Sequence, residues 1–235
     1  MTNAKRLILA AALAGAGLCG PAAGATDYVP NSMCAHAEPV DLPELLKASD
    51  GSRIDTVAAW EKRRGELLDC FSRNVFGVRP VERPSDLSFE PIGADVEFPE
   101  IPAVRKRARI SFSGPRGAWS FAACAFLPKG ASPERPVPAF LLICNRPPDV
   151  NIDPTREKKS YFWPAEEIVD RGYAAIAFYN GDLAPDDKCP VFTNGIYRIY
   201  GDRGVDTWGA LSAWAWGASR VMDWIETEPA LDAAH

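Results

Sequence analysis

The chain contains two histidines, and this limits its chemistry more than any other feature. His36 lies in a proline-containing stretch near the start, and His235 is the last residue. Neither has a carboxylate placed to orient it, so no Ser–His–acid set assembles from these residues. The nucleophile-elbow pattern G-x-S-x-G is absent. Its nearest mimic, Gly217-Ala218-Ser219-Arg220-Val221, lacks the second glycine and falls inside a helical pattern, where no sharp turn lifts a hydroxyl. Ser219 is therefore read as a helix residue. There is no C-x-x-C, no H-E-x-x-H, no histidine pair, no G-x-G-x-x-G and no phosphate loop, so neither a metal nor a cofactor is expected. Asp182, Asp186 and Asp187 lack the ligand spacing of a calcium loop and read as a solvated acidic loop. No catalytic residue is assigned.

Six cysteines are present. Cys19 falls in an N-terminal leader, which leaves Cys34, Cys70, Cys124, Cys144 and Cys189. That odd number requires at least one free thiol or an external partner, and the connectivity stays open. Cys124 and Cys144 sit in apolar strand-like runs and read as small buried hydrophobes. A reading in which Ser219 or Cys144 is a nucleophile is the weakest of those considered.

The leader is legible on its own. Lys5-Arg6 precede the apolar run Leu7–Leu18, and Ala23-Gly24-Ala25 offers a small-x-small cleavage site. Residues 1–25 therefore read as a secretory signal peptide, and the rest as periplasmic or secreted and disulfide-permissive. A lipoprotein anchored through Cys19 is disfavoured by Leu18, where a small residue is wanted. No later apolar run reaches the roughly 18 residues of a spanning helix, so no membrane association is expected after cleavage. With 26 basic and 31 acidic residues and a net charge of −5, the chain is a poor nucleic-acid partner. Its 235 residues, 47% hydrophobic and 24% charged, are those of a globular protein.

Residues 26–52 form an extended lead-in, and 53–235 read as the N-terminal part of one domain. Asp55-Thr56 offer an N-cap to an amphipathic helix through Trp60, Leu67, Phe71 and Val75, stopped by Gly77 and Pro80 and expected to dock outside a sheet. Alternation from Arg105 to Ser113, turn residues Gly114–Gly117 and a second run from Trp119 to Leu127 predict an antiparallel hairpin. Its row of Arg105, Arg107 and Arg109 reads as a solvated face rather than a polyanion site. Residues 139–144 and 173–178 are continuously apolar, as in a sheet covered on both sides. A short helix lies between them, with Pro164 in its first turn, Glu166 and Glu167 near its positive end and Gly172 past its end. Residues 180–206 read as a long loop. A last helix runs from about Asp206-Thr207 to Glu228. Its expected buried rows are Leu211, Ala215, Ala218, Met222 and Ile225, and Trp214, Val221 and Trp224 spaced by Gly217. Arg220 and Asp223 pair on its polar side. The tryptophans read as core rather than as a sugar platform.

The tract Trp208–Asp223 resembles the helix before the nucleophile in bacterial glucuronoyl esterases and their acetylxylan-esterase-like relatives. Asp50–Arg53, Trp60–Arg64, Val75–Gly77, Trp163-Pro164, Arg171–Ala174 and Tyr179–Asp182 resemble the same family, in order, over about residues 45–232. The resemblance implies an incomplete α/β-hydrolase fold: the N-terminal half of a doubly covered, mostly parallel sheet. It implies the N-terminal part of an exported carboxylic-ester hydrolase acting on plant cell-wall polysaccharide. A polysaccharide ester would be its substrate once a missing C-terminal half completes it. The family's G-x-S-R-x-G-K is absent, so this chain carries no catalytic triad. A non-catalytic carbohydrate-binding or scaffold protein derived from the hydrolase is the alternative.

Fold logic supplies four candidate site residues. The backbone N–H of Asn145 or Arg146 is placed to line an oxyanion hole. Tyr179 and Asp182 follow the next strand on the same carboxyl edge, where ligands bind. In the usual strand order the nucleophile strand lies beside residues 139–144, so that strand is expected to be left as an edge.

Overall fold

A computed structural model describes residues 42–98, 101–186, 192–201 and 206–234. The leader, most of the lead-in, both histidines, Cys19, Cys34, Cys189 and Asp187 lie outside the described residues. The chain divides into two compact units, Met1–Arg53 and Ile54–His235. Within the first, Lys47 bridges Arg53 around a turn closed by the Ala48 N–H on the Ser52 carbonyl at 2.9 Å.

The second unit opens with helix α1, Val57–Phe71, which continues as a π-helical turn over Ser72–Phe76. Thr56 caps it: its Oγ1 accepts the Ala59 N–H at 3.2 Å. The helix buries no residue fully. Instead of docking across the sheet, its π turn leads into a strap, residues 76–78, bonded to residues 206–209 by Val78 N–H to Asp206 O, Trp208 N–H to Val78 O and Gly209 N–H to Phe76 O. Gly77, at φ +83°, is required there, since a Cβ would sit 2.3 Å from the Thr207 carbonyl oxygen.

The sheet holds β1 (Ser88–Pro91), β2 (Val96–Phe98), β3 (Ala103–Gly114), β4 (Gly117–Pro128), β5 (Ala139–Cys144) and β6 (Ala174–Tyr179). Its order is β1-β3-β4-β6-β5, with β2 also on β3. The predicted hairpin is β3–β4, one to two residues longer at each end and in register from Ala103↔Pro128 to Gly114↔Gly117. The sheet is mixed: antiparallel through β4–β6, and parallel between β6 and β5 from Ala139↔Ala174 to Cys144↔Tyr179. The crossover between β5 and β6 carries two short helices, α2 (Pro148–Asn151) and α3 (Ala165–Asp170). The region read as one long loop contains a 3-10 turn, Asn180–Asp182, and helix α4, Tyr197–Tyr200.

Two apolar layers cover the sheet. On one face, Ile110, Phe112, Phe121, Ile176 and Phe178 meet Trp208, Trp216 and Val221. On the other, Phe126, Ala175 and Ala177 meet Trp163, Ala165 and Val169. The tryptophans are core, as read.

Helix α5, Ala210–Ile225, starts later than expected because Thr207 pairs with Val78. Its buried face is also rotated from the expected one. Ala213, Trp216, Gly217, Arg220, Val221 and Trp224 are buried, whereas Leu211 and Met222 are exposed. Hydrogen bonding decides this. Trp216 Nε1 donates to the Val81 carbonyl at 2.9 Å, and Arg220 donates to the Glu82 carbonyl. The Arg220–Asp223 pair forms at 2.5 Å, but buried, with the guanidinium over the Trp216 ring. Gly217 leaves room for the Leu183 side chain after β6 and for Phe178 on it, since a Cβ would lie 1.9 Å from Leu183 Cδ1 and 3.3 Å from Phe178 Cε2.

Candidate functional site at the carboxyl edge

Parallel pairing of Cys144 with Tyr179 makes β5 and β6 end level. The segments after them therefore leave the sheet on one edge, as the strand order requires. Asn145 and Arg146 cap β5 and are exposed. Beneath them the Cys144 Sγ–H donates to the Arg146 carbonyl at 3.4 Å. Proline follows at 147 and 148 and turns the chain into α2.

Tyr179 and Asp182 are brought together in a narrow cleft of about 50 Å³, with Arg107, Cys124, Pro148 and Pro154 also lining it. Asn145 and Arg146 do not line this cleft; they stand above it at the strand end. The Asp182 carboxyl is half-buried, and burial lifts its pKa above the ordinary carboxylate range. Its backbone carbonyl accepts Trp119 Nε1–H at 2.8 Å, which ties the 3-10 turn to the start of β4. The turn stays tight because Asn180 O accepts the N–H groups of Leu183 and Ala184, each at 3.0 Å.

Arg107 is a residue that sequence reasoning missed. Read as part of a solvated row, it is half-buried, because the segment 152–156 folds over this face of β3. Its neighbour Arg105 donates from Nη1 to the Pro154 carbonyl at 2.7 Å. Arg109 alone keeps the solvated character expected of the row, and lies opposite Glu90 of β1. Period-2 alternation did carry the signal, since Arg107 pairs in register with Cys124, and Cys124 with Ala177. What it lacked was any sign that a loop would cover that face.

The nucleophile readings of Ser219 and Cys144 do not survive the geometry. Ser219 Oγ–H donates to the Ala215 carbonyl at 3.2 Å, the back-bond of a helix interior. Cys144 is fully buried, and burial pushes its thiol pKa up, opposing thiolate formation. Burial pushes the Cys124 thiol up as well, to about 12. Cys70, Cys124 and Cys144 are free thiols. Among the described residues no cluster of His, Cys, Asp or Glu could hold a metal, and no helix is long and apolar enough to cross a membrane.

Comparison with known proteins places this architecture. A family model described as glucuronyl esterase, fungi, matches residues 158–235, a span that contains the tryptophan-rich tract. The carbohydrate esterase MZ0003 of an unknown prokaryotic organism is 26% identical over 223 residues, covering 81% of this chain and 50% of that protein. The 4-O-methyl-glucuronoyl methylesterase of Schizophyllum commune is 24% identical over 189 residues, covering 80% of this chain and 39% of that one. The solved glucuronoyl esterase from Solibacter usitatus superposes with a TM-score of 0.66 at 25% identity, covering 84% of this chain and 56% of the other. This chain thus spans about half the length of the relatives it matches. Over that span it is similar in sequence and fold to glucuronoyl esterases, and its fold is that of an α/β-hydrolase.

Proposed function

We propose that this chain is the N-terminal part of an exported carboxylic-ester hydrolase acting on plant cell-wall polysaccharide, of glucuronoyl or acetylxylan esterase type. In this reading residues 1–25 are the export signal, 26–52 a lead-in, and 53–235 the first part of the catalytic domain. The chain supplies the sheet, helix α5 and the two carboxyl-edge segments. The backbone N–H of Asn145 or Arg146 contributes to the oxyanion hole, and Tyr179 and Asp182 line the substrate side. The nucleophile, acid and histidine come from polypeptide that pairs with β5.

The observation that carries this reading is the state of β5. It is an apolar strand with no neighbour on its outer side among the described residues, and Phe140 on it is 55% exposed. Unpaired N–H and C=O groups along an apolar strand favour pairing with another strand. The relatives carry roughly as much chain again as this one matches.

Two measurements test the reading. The DNA beyond codon 235 is expected to encode G-x-S-R-x-G-K in a nearby frame. The polypeptide extended through that frame is expected to hydrolyse a methyl glucuronoyl ester or an acetylated xylan, while residues 1–235 alone do not. Turnover by the short chain, or an extended chain inert on both esters, contradicts the proposal.

A further inference from the structure

Helix α5 carries no charge on its outer side. Its charged residues, Arg220 and Asp223, are both buried, and the side chains it presents to solvent are Leu211, Ala215 and Met222. Leu211 is 59% exposed and Met222 38%. A helix that rests on a protein surface turns charged or polar residues outward, and one that is apolar all round is covered all round. Helix α1 is of the first kind, with Glu61, Lys62, Arg64 and Asp69 exposed along it. On α5, Leu211, Ala215, Ala218 and Met222 follow at spacings of four, three and four, which makes one stripe. At about 100° of turn per residue the stripe lies roughly opposite Arg220. Arg220 and Trp216 reach the carbonyls of residues 81–82, and the Trp216 ring meets Phe112 of β3 edge-on at 4.9 Å. The stripe therefore faces away from the sheet and tilts toward its β5 end.

The path of the chain says what covers it. Leu231 pairs in parallel with Val137, just before β5. The Val137 N–H donates to the Ala230 carbonyl at 3.1 Å, and the Asp232 N–H to the Val137 carbonyl at 2.8 Å. Pro138 turns its carbonyl the other way, accepting the Ala174 N–H of β6 at 2.8 Å. Backbone groups alternate sides along an extended chain, so residues 230–232 enter on the outer side of β5. The connection from β5 to β6 lays α3 on the Trp163 face of the sheet, and the connection from β6 back past β5 lays α5 on the Trp216 face. Right-handed crossovers in opposite directions require opposite faces. A strand that continues from Asp232 beside β5, and then crosses over farther in that outward direction, places its helix on the Trp216 face beside α5.

The stripe suits such a neighbour. Ala215 and Ala218 at its middle have no side chain beyond Cβ, which lets a second helix axis approach to about 8–10 Å. Leu211 and Met222 stand at its two ends, and the unbranched methionine side chain adapts to what it meets. With no charge along the stripe, the facing side of the partner must be apolar as well. The relatives carry roughly as much chain again as this one matches, which is room for a further strand and helix.

We infer that the outer flank of α5, along Leu211, Ala215, Ala218 and Met222, seats an amphipathic helix supplied by the polypeptide that follows the strand paired with β5. This seat rests on the continuation proposed above, but not on its ester chemistry.

Oxidation of Met222 reads the flank without altering it. Hydrogen peroxide is applied, at high dilution of protein, to residues 1–235 and to the polypeptide extended through the downstream frame, and Met222 sulfoxide is followed by peptide mass spectrometry. Met222 is expected to oxidise at least roughly tenfold more slowly in the extended polypeptide. Leu211→Lys is expected to lower the melting temperature of the extended polypeptide by about 3 °C or more and that of residues 1–235 by less than about 1 °C. Equal Met222 oxidation in the two polypeptides, equal losses from Leu211→Lys, or a downstream frame with no amphipathic helix after its strand overturns the inference. So does protection of Met222 within residues 1–235 that grows with concentration, which would make a second copy the occupant. An extended polypeptide that shields Met222 but hydrolyses no ester upholds this inference and contradicts the esterase proposal; one that hydrolyses the ester with Met222 unshielded does the reverse.

Discussion

Strands β5 and β6 are each six residues long, uniformly apolar and neighbours in one parallel ladder. Their surroundings differ. In β6 every residue from Ala174 to Phe178 is buried, with β4 on one side, β5 on the other and a layer on each face. In β5 only Cys144 is buried, while Phe140 and Ile143 are exposed. Composition shows that a strand is fit for a two-sided environment; only its neighbours decide whether it has one. An apolar strand at an edge is a pairing surface, and natural sheets blunt such edges with charge, proline or a covering element. Among the described residues the β5 edge has none of these along Ala139–Cys144. Phe140 instead makes a tilted ring contact with exposed Tyr173, 5.2 Å away.

The largest effect separating the two strands is expected from a buried charge. Ile176→Asp in β6 places a carboxylate at a position with no exposure. The cost is several kcal/mol, comparable with the whole stability of a domain. Circular dichroism should show no cooperative melt. If Ile176→Asp melts like the parent chain, β6 is not the core strand described here.

Next in size is the buried pair of α5. Arg220→Ala strands Asp223, whose remaining cation is the more exposed Arg83 at 3.4 Å. It also removes the donor to the Glu82 carbonyl. A loss of about 3 kcal/mol is expected in denaturant unfolding, and a loss below about 0.5 kcal/mol would place the pair in solvent.

Asp182 should give a smaller and pH-dependent effect. Burial raises its folded-state pKa above the unfolded value. The fold therefore penalises the charged form: the penalty is absent below the unfolded pKa and grows as pH rises through the folded one. Asp182→Asn is expected to raise the melting temperature by about 2 °C at pH 7 and to leave it unchanged at pH 3. An equal shift at both pH values would mean that the carboxyl carries no burial penalty.

The smallest effect on stability is expected on β5. Phe140→Lys should change it by less than about 0.5 kcal/mol. It should nevertheless shift the chain toward monomer in sedimentation velocity, because it charges the pairing edge.

The legibility of this molecule follows the same division. Elements set by local pattern were readable: the β3–β4 hairpin from alternation around Gly114–Gly117, the Thr56 cap, the two apolar strands, and the tryptophan core of α5. Features set by a partner far along the chain were not. The face that α5 buries depends on carbonyls of Val81 and Glu82 meeting Trp216 and Arg220, so the expected apolar row through Leu211 and Met222 turned outward. Strands β1 and β2 are short pieces recruited by β3, with no strong period of their own. At the candidate site, the shared edge of Tyr179, Asp182 and the residues after Cys144 followed from strand order. Arg107 could not be found that way, because its burial depends on the segment 152–156 crossing over β3.

Residue-resolved hydrogen exchange on the Phe140→Lys monomer tests the central claim most directly. The account predicts that β6 amides exchange only through global unfolding, while the outward-facing amides of β5 exchange orders of magnitude faster. It further predicts that extending the polypeptide past residue 235 slows those β5 amides to the β6 rate. Equal protection of β5 and β6 in the monomeric chain, or no slowing on extension, would contradict it.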